Sequence, residues 1–301
     1  MAAQRLAEGD RPQAIGSLRE AVSLDPAHGC AGLLITTLHE AGLVEEAFAM
    51  GQRYHREGPR NPRALFRFGW LLAFIGEVEA AQALFHDLVL RDRGGIYEAW
   101  GNGELAYLAR ARSDVHAAVS FMERAVAAQP GDMISRVGRA QMMVEAGQAG
   151  AAVPLLEAEL VAHPAARGFG GMPAALVLGW ALRRLGQDAA AKRWLDPLAS
   201  TLLATRPDLA ARQLGMEPMQ ALRQLAYLAV CDRHEEALEL AHRTLRIPLY
   251  GAPDPRDGML APLFGKPCWM ALLVRSWDSI DEQRLRLGLR GLDRHAHPVP
   301  A

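Results

Sequence analysis

Seven alanines, Ala14, Ala47, Ala81, Ala118, Ala152, Ala191 and Ala237, recur at intervals of 33, 34, 37, 34, 39 and 46 residues. Around two of them the sequence nearly repeats itself. Ala14, Leu18, Ala21 and Pro26 in one stretch match Ala118, Met122, Ala125 and Pro130 in another. At helical pitch the two small residues and the large one between them share a face, and the proline, with no N–H to donate, stops the helix. Each stretch reads as the second half of a helix-turn-helix unit. A unit this short cannot bury its apolar face alone, so copies must stack and share a continuous core.

The first half of the unit is clearest around residue 70, where Leu65, Phe68, Gly69 and Leu72 precede a turn at Gly76, followed by Ala81, Phe85 and Leu88. Ala175, Leu178, Gly179, Leu182, Gly186, Ala191, Leu195 and Leu198 reproduce it. Small residues on both helices let two backbones approach, and the large ones fill the space between successive pairs. Partial copies recur at Ala140, Gly147, Ala152, Leu156 and Pro164, and at Ala106, Ala118, Met122, Ala125 and Pro130. A helix-turn-helix period near 34 residues resembles the tetratricopeptide repeat (TPR). The resemblance implies an all-α, right-handed superhelical solenoid of antiparallel helix pairs over residues 1–250. About seven repeats are expected, the first truncated because Met1 falls inside its first helix.

Two long intervals place extra residues in loops, at Arg167 to Gly171 and around Thr205 to Asp208. The last copy keeps the pattern at Leu225 to Leu228 and Ala237 but lacks a turn glycine. Residues 251–301 form a separate Pro- and Gly-rich segment. Its run Leu260-Ala261-Pro262-Leu263-Phe264-Gly265-Lys266-Pro267-Cys268-Trp269 resembles the closing segment of TPR regions in bacterial signalling proteins such as serine/threonine kinases and adenylate cyclases. Phe264 and Pro267-Cys268-Trp269 replace the arginine and Pro-Arg-Phe usual there. A capping helix over Asp281 to Arg294 is expected to cover the end of the stack, with Arg284, Arg286, Arg290 and Arg294 on a solvated face.

Composition removes several classes of function. The 33 Lys+Arg and 34 Asp+Glu are interleaved and leave a formal net charge of -1, so nothing favours nucleic acid. No apolar run reaches membrane-spanning or signal-peptide length, which predicts a cytoplasmic chain that does not engage a membrane. Cys30, Cys231 and Cys268 lack CxxC spacing and read as reduced thiols. Gly101-Asn102-Gly103-Glu104 opens a repeat helix and follows no strand, so it does not read as a dinucleotide loop. His28-Gly29-Cys30, His39-Glu40, His234-Glu235 and His295-Ala296-His297 are too sparse for a metal site. No catalytic elbow or phosphate loop is present, and the expectation is a non-enzyme without metal or cofactor.

In such a stack the first helix of every pair lines the concave face. Residues one turn apart on those helices give a candidate partner-binding groove of Arg63, Phe66, Trp70, Phe74, Trp100, Tyr107, Arg110, Gln141, Trp180, Arg183 and Arg184. Aromatic and arginine side chains bring large contact area and multivalent hydrogen bonding at small conformational cost. The expected function is a protein-protein interaction scaffold holding a partner protein or peptide, with its acidic groups near Arg110, Arg183 and Arg184. The competing assignment for Phe66, Phe74 and Trp180 is inter-repeat core. Gly32, Thr36 and Gly103 stand where a carboxylate-gripping clamp would need polar groups, so that mode is not expected. A second functional expectation is the sensory or regulatory region of a bacterial signalling enzyme whose catalytic domain lies outside this chain. A third is self-assembly through the uncapped first repeat.

Overall fold

The computed structural model describes residues 11–27, 29–56, 61–168, 171–204, 217–244 and 258–292. The loop expected at Thr205 to Asp208, the first ten residues and the Ile247 to Pro255 bend lie outside them. Among the described residues are fourteen α-helices. They are α1 (Arg11–Leu24), α2 (Cys30–Glu40), α3 (Val44–Arg56), α4 (Pro62–Phe74), α5 (Val78–Arg91), α6 (Ile96–Ala111) and α7 (Val115–Ala128). There follow α8 (Met133–Glu145), α9 (Ala149–Ala162), α10 (Ala174–Arg184), α11 (Asp188–Leu203), α12 (Glu217–Val230), α13 (His234–Thr244) and α14 (Pro267–Arg286). A short 3-10 turn at Ala261–Leu263 precedes α14.

The marker alanines fall on α1, α3, α5, α7, α9, α11 and α13, and every one is at most 1% exposed. They sit where each second helix meets its partner. The pairs also close because the first helix carries a glycine where a large residue of the second packs: a Cβ on Gly69 would come within 2.6 Å of the Phe85 ring, and one on Gly179 within 2.5 Å of Leu195. Helix α2 packs on α4, α4 on α6, α6 on α8, α8 on α10 and α10 on α12, so the first helices form one continuous layer. The second helices lie outside it.

Every hairpin turns in the same way. Leu43, Glu77, Asp114, Gln148, Gln187 and Arg233 each donate a backbone N–H to the carbonyl five residues earlier, at 2.8–3.0 Å. This is the bond that closes a Schellman helix end, and it needs a left-handed residue just before the donor. Gly42, Gly76, Gly147 and Gly186 supply it in four turns, with φ of 77°, 79°, 79° and 72°. In the other two Ser113 (φ 63°) and Asp232 (φ 58°) take the glycine's place, which explains why the last copy keeps its turn without one. Asn61, Asp114 and Asp132 start α4, α7 and α8 by accepting a backbone N–H three residues on. Between α9 and α10 the chain doubles back through a bridge between Arg167 and Pro173.

The last helix departs from expectation. It begins at Pro267, where a residue without a needed N–H is tolerated at the first helical position, and ends at Arg286. Gly288, at φ 68°, stops it, with Leu289 N–H closing on Arg284 carbonyl at 2.9 Å. Of the expected solvated basic face, Arg286 and Arg290 are exposed and Arg294 lies outside the described residues, but Arg284 is 7% exposed and ion-paired with Glu77 at 2.8 Å.

Candidate functional site

The first helices place the eleven groove residues in three different environments. Phe66, Phe74 and Trp180 are buried, at 3%, 5% and 6% exposure, and belong to the core. Phe66 lies in an aromatic cluster with Trp70, Phe85, Tyr97 and Trp100, ring centroids 5.2–5.9 Å away. Phe74 meets the His39 ring edge-on at 4.4 Å. The indole of Trp180 is covered by the backbone at Gly258, where a Cβ would come within 2.8 Å of it.

Tyr107, Arg110 and Gln141 form a second group, a polar lock between α6 and α8. The Arg110 guanidinium pairs with Glu145 at 3.2 Å, the two side chains only 8% and 4% exposed. It also lies 4.7 Å over the Tyr107 ring. Tyr107 Oη donates to Gln141 Oε1 at 3.4 Å, and Gln141 Nε2 donates to Glu145 Oε1 at 3.5 Å. A buried ion pair of this kind is stable only as a complete set, since either charge alone would be left desolvated. Arg110 is therefore committed inside the fold. Arg183 is similarly occupied: it bonds the Val230 carbonyl and pairs with Asp232 at 2.5 Å and Asp188 at 3.5 Å. Arg184 is exposed.

The third group stays partly open on the first-helix layer: Arg63 and Trp70 on α4, and Trp100 on α6. The structure adds two residues that the sequence pattern passed over. Arg67 lies 4.0 Å over the Trp70 ring, and Glu104 reaches toward the same place from α6. Desolvation pushes the Glu104 carboxyl up to about 7, with a hydrogen bond from Trp70 and the charge of Arg67 only partly opposing it. Burial also raises the Tyr97 phenol, while Arg63 and Arg67 pull it down. Arg67, Trp70, Trp100, Glu104 and Tyr107 thus form a stripe at three- and four-residue spacing across two adjacent first helices. The pattern 67, 70 on one helix and 100, 104, 107 on the next was available in the sequence. Anchoring the face on Phe66 rotated it toward the core.

No profile of a known protein family matches the chain. No curated protein sequence matches it either. Among solved structures, a tetratricopeptide repeat protein from Parabacteroides merdae ATCC 43184 aligns with a TM-score of 0.54 over 91% of this chain and 95% of its own, at 13% identity. PilW, a type IV pilus biogenesis factor, aligns with a TM-score of 0.53 over 68% of this chain and 92% of its own, at 18% identity. The chain is an all-α helical-repeat protein, and its fold is of the tetratricopeptide type. Among the described residues, no helix is long and apolar enough to cross a membrane.

Proposed function

We propose that the protein is a non-enzymatic interaction scaffold that holds a partner protein or peptide against the first-helix layer at α4 and α6. The observation that carries this reading is the partly open stripe of Arg63, Arg67, Trp70, Trp100, Glu104 and Tyr107. Aromatic rings held in place by their neighbours lose little entropy when a partner covers them, and arginine over an aromatic face is pre-positioned to bond carboxylates. Arg63 and Arg67 lie one turn apart and act together on Tyr97, which supports a partner segment carrying acidic groups next to an apolar anchor. Arg110 and Arg183 take no part, being neutralised within the fold.

The test is crosslinked capture from source cells with wild type and an Arg63→Glu, Arg67→Glu variant of matched melting temperature. A protein captured by wild type and lost by the variant is expected. The same proteins captured by both would remove the stripe as the binding surface.

A further inference from the structure

Helix α14 does not merely cover the last repeat. Trp269, Leu272, Leu273, Trp277 and Ile280 join the core of the carboxyl-terminal repeats. A helix of 20 residues is about 30 Å long, and the far end of α14 reaches the second and third repeats. There Leu287 and Leu289 pack against the amino-terminal core, the only described members of that cluster beyond Phe121. Leu292 lies against Gly76, within 2.5 Å of where a Cβ would be.

The polar contacts at this far end are made to two hairpin turns. Arg284 donates to the Ile75 carbonyl at 2.6 Å and pairs with Glu77 at 2.8 Å, while its Nε donates to the Arg290 carbonyl at 2.7 Å. Arg286 grips both oxygens of Glu45 at 2.6 Å and donates to the Gly42 carbonyl at 3.1 Å. Gln283 Oε1 is 3.3 Å from His39 Nε2. At both turns one guanidinium spans a carbonyl left over at the end of a first helix and a carboxylate at the start of the second. Arg183 binds the α12–α13 turn in a related way, through the Val230 carbonyl and the carboxylate of the turn residue Asp232.

We propose that the turn edge of the second and third repeats is a receptor for an arginine-bearing amphipathic helix, filled in cis by the end of α14, which acts as a releasable strap. The strap's two ends are held by different forces. The Trp269 to Ile280 half is an apolar anchor of fully packed side chains, whereas the far half combines the partly buried Leu287 and Leu289 with two ion pairs, one of them with both side chains over 40% exposed. The exposed Arg286–Glu45 pair weakens with ionic strength and with competition from another guanidinium, so the far half lets go first, starting from Arg286. Release uncovers Gly76, the His39 and Phe74 ring pair and the two acidic turns. This edge is separate from the aromatic stripe on α4 and α6, so failure of either reading leaves the other standing.

The experiment uses the full chain and, as probe, a fluorescent peptide of residues 278–292. Hydrogen exchange should show residues 283–292 losing protection in Arg286→Glu and regaining it in the charge swap Glu45→Arg, Arg286→Glu, whose exposed positions leave the core intact. The peptide should bind an Arg284→Glu, Arg286→Glu chain at least tenfold more tightly than wild type, whose site is already filled. Adding Glu45→Arg and Glu77→Arg, or raising salt, should abolish that binding. Unchanged protection in Arg286→Glu, no rescue in the swap, or equal peptide binding to wild-type and released chains overturns the proposal.

Discussion

Replacing Glu104 by Gln should stabilise the protein in neutral and alkaline solution and do progressively less as the pH falls. In the folded chain desolvation holds this carboxyl up at about 7, against 4.5 for an unperturbed glutamate. A group whose folded pKa is raised binds its proton more tightly in the folded state. Its stabilisation is full below about 4.5 and is lost as the pH rises through about 7. That interval, at about 1.4 kcal/mol per unit, sets a ceiling of about 3.5 kcal/mol on the cost of ionising Glu104 in the fold. The side chain keeps part of its surface open to the groove, so water recovers some of this and about 1–3 kcal/mol is expected. The amide introduced by the substitution can still accept from Trp70 and brings no charge to desolvate. Thermal melts followed by circular dichroism between about pH 5 and pH 8 should show wild type losing stability relative to the variant as the pH rises, with a gap of several degrees at the upper end. Parallel pH profiles for the two proteins would show that Glu104 ionises freely and that the stripe is better hydrated than its geometry implies.

Four further substitutions test the packing rules of the repeats. Gly69→Ala and Gly179→Ala each drive a methyl group into a neighbour, at 2.6 Å from Phe85 and 2.5 Å from Leu195, and should cost about 1–3 kcal/mol in urea unfolding. Arg110→Ala leaves Glu145 buried without its cation and should cost about 3–5 kcal/mol, most of it recovered when Glu145→Ala is added in a double-mutant cycle. Ser113→Gly relieves a left-handed backbone at φ 63° and should raise stability by up to about 1 kcal/mol; no gain would mean that the serine is held there at little strain.

The repeat was legible because it is written in small residues. An alanine or glycine at a helix crossing is forced by backbone approach, and that constraint survives at every copy, so spacing alone placed the second helices. Loop insertions and the missing glycine of the last copy did not disturb it, since Asp232 can adopt the same backbone shape. The site was harder to read. A first helix touches the helices before and after it as well as its own partner, so most of its circumference is buried. On α4, eight of thirteen residues are buried, and a shift of one position separates Phe66 in the core from Arg67 in the groove. The placement of α14 was not legible at all, because its partners at Glu45 and Glu77 are more than two hundred residues away in sequence.

That distance also explains why counting arginines on helix faces points to the wrong ones. The end of a first helix leaves carbonyls without intrahelical donors and carries the negative end of the helix dipole. Four of the seven second helices then start with acids, at Glu45 and Glu46, Glu79, Asp188, and Glu235 and Glu236, whereas α1, α7 and α9 carry none in the first turn. At those four hairpins the turn edge gathers negative charge, whatever the net charge of the chain. Arginines within reach of that edge, such as Arg183, Arg284 and Arg286, are drawn to it and become structural. Arg63 and Arg67 are held away from that edge along a first helix, where Arg67 lies over the Trp70 ring. If both proposals hold, the two surfaces will prefer ligands of opposite sign: cationic helices at the turn edge, acidic segments on the inner layer. A single binding assay with one charged peptide would report on only one of them.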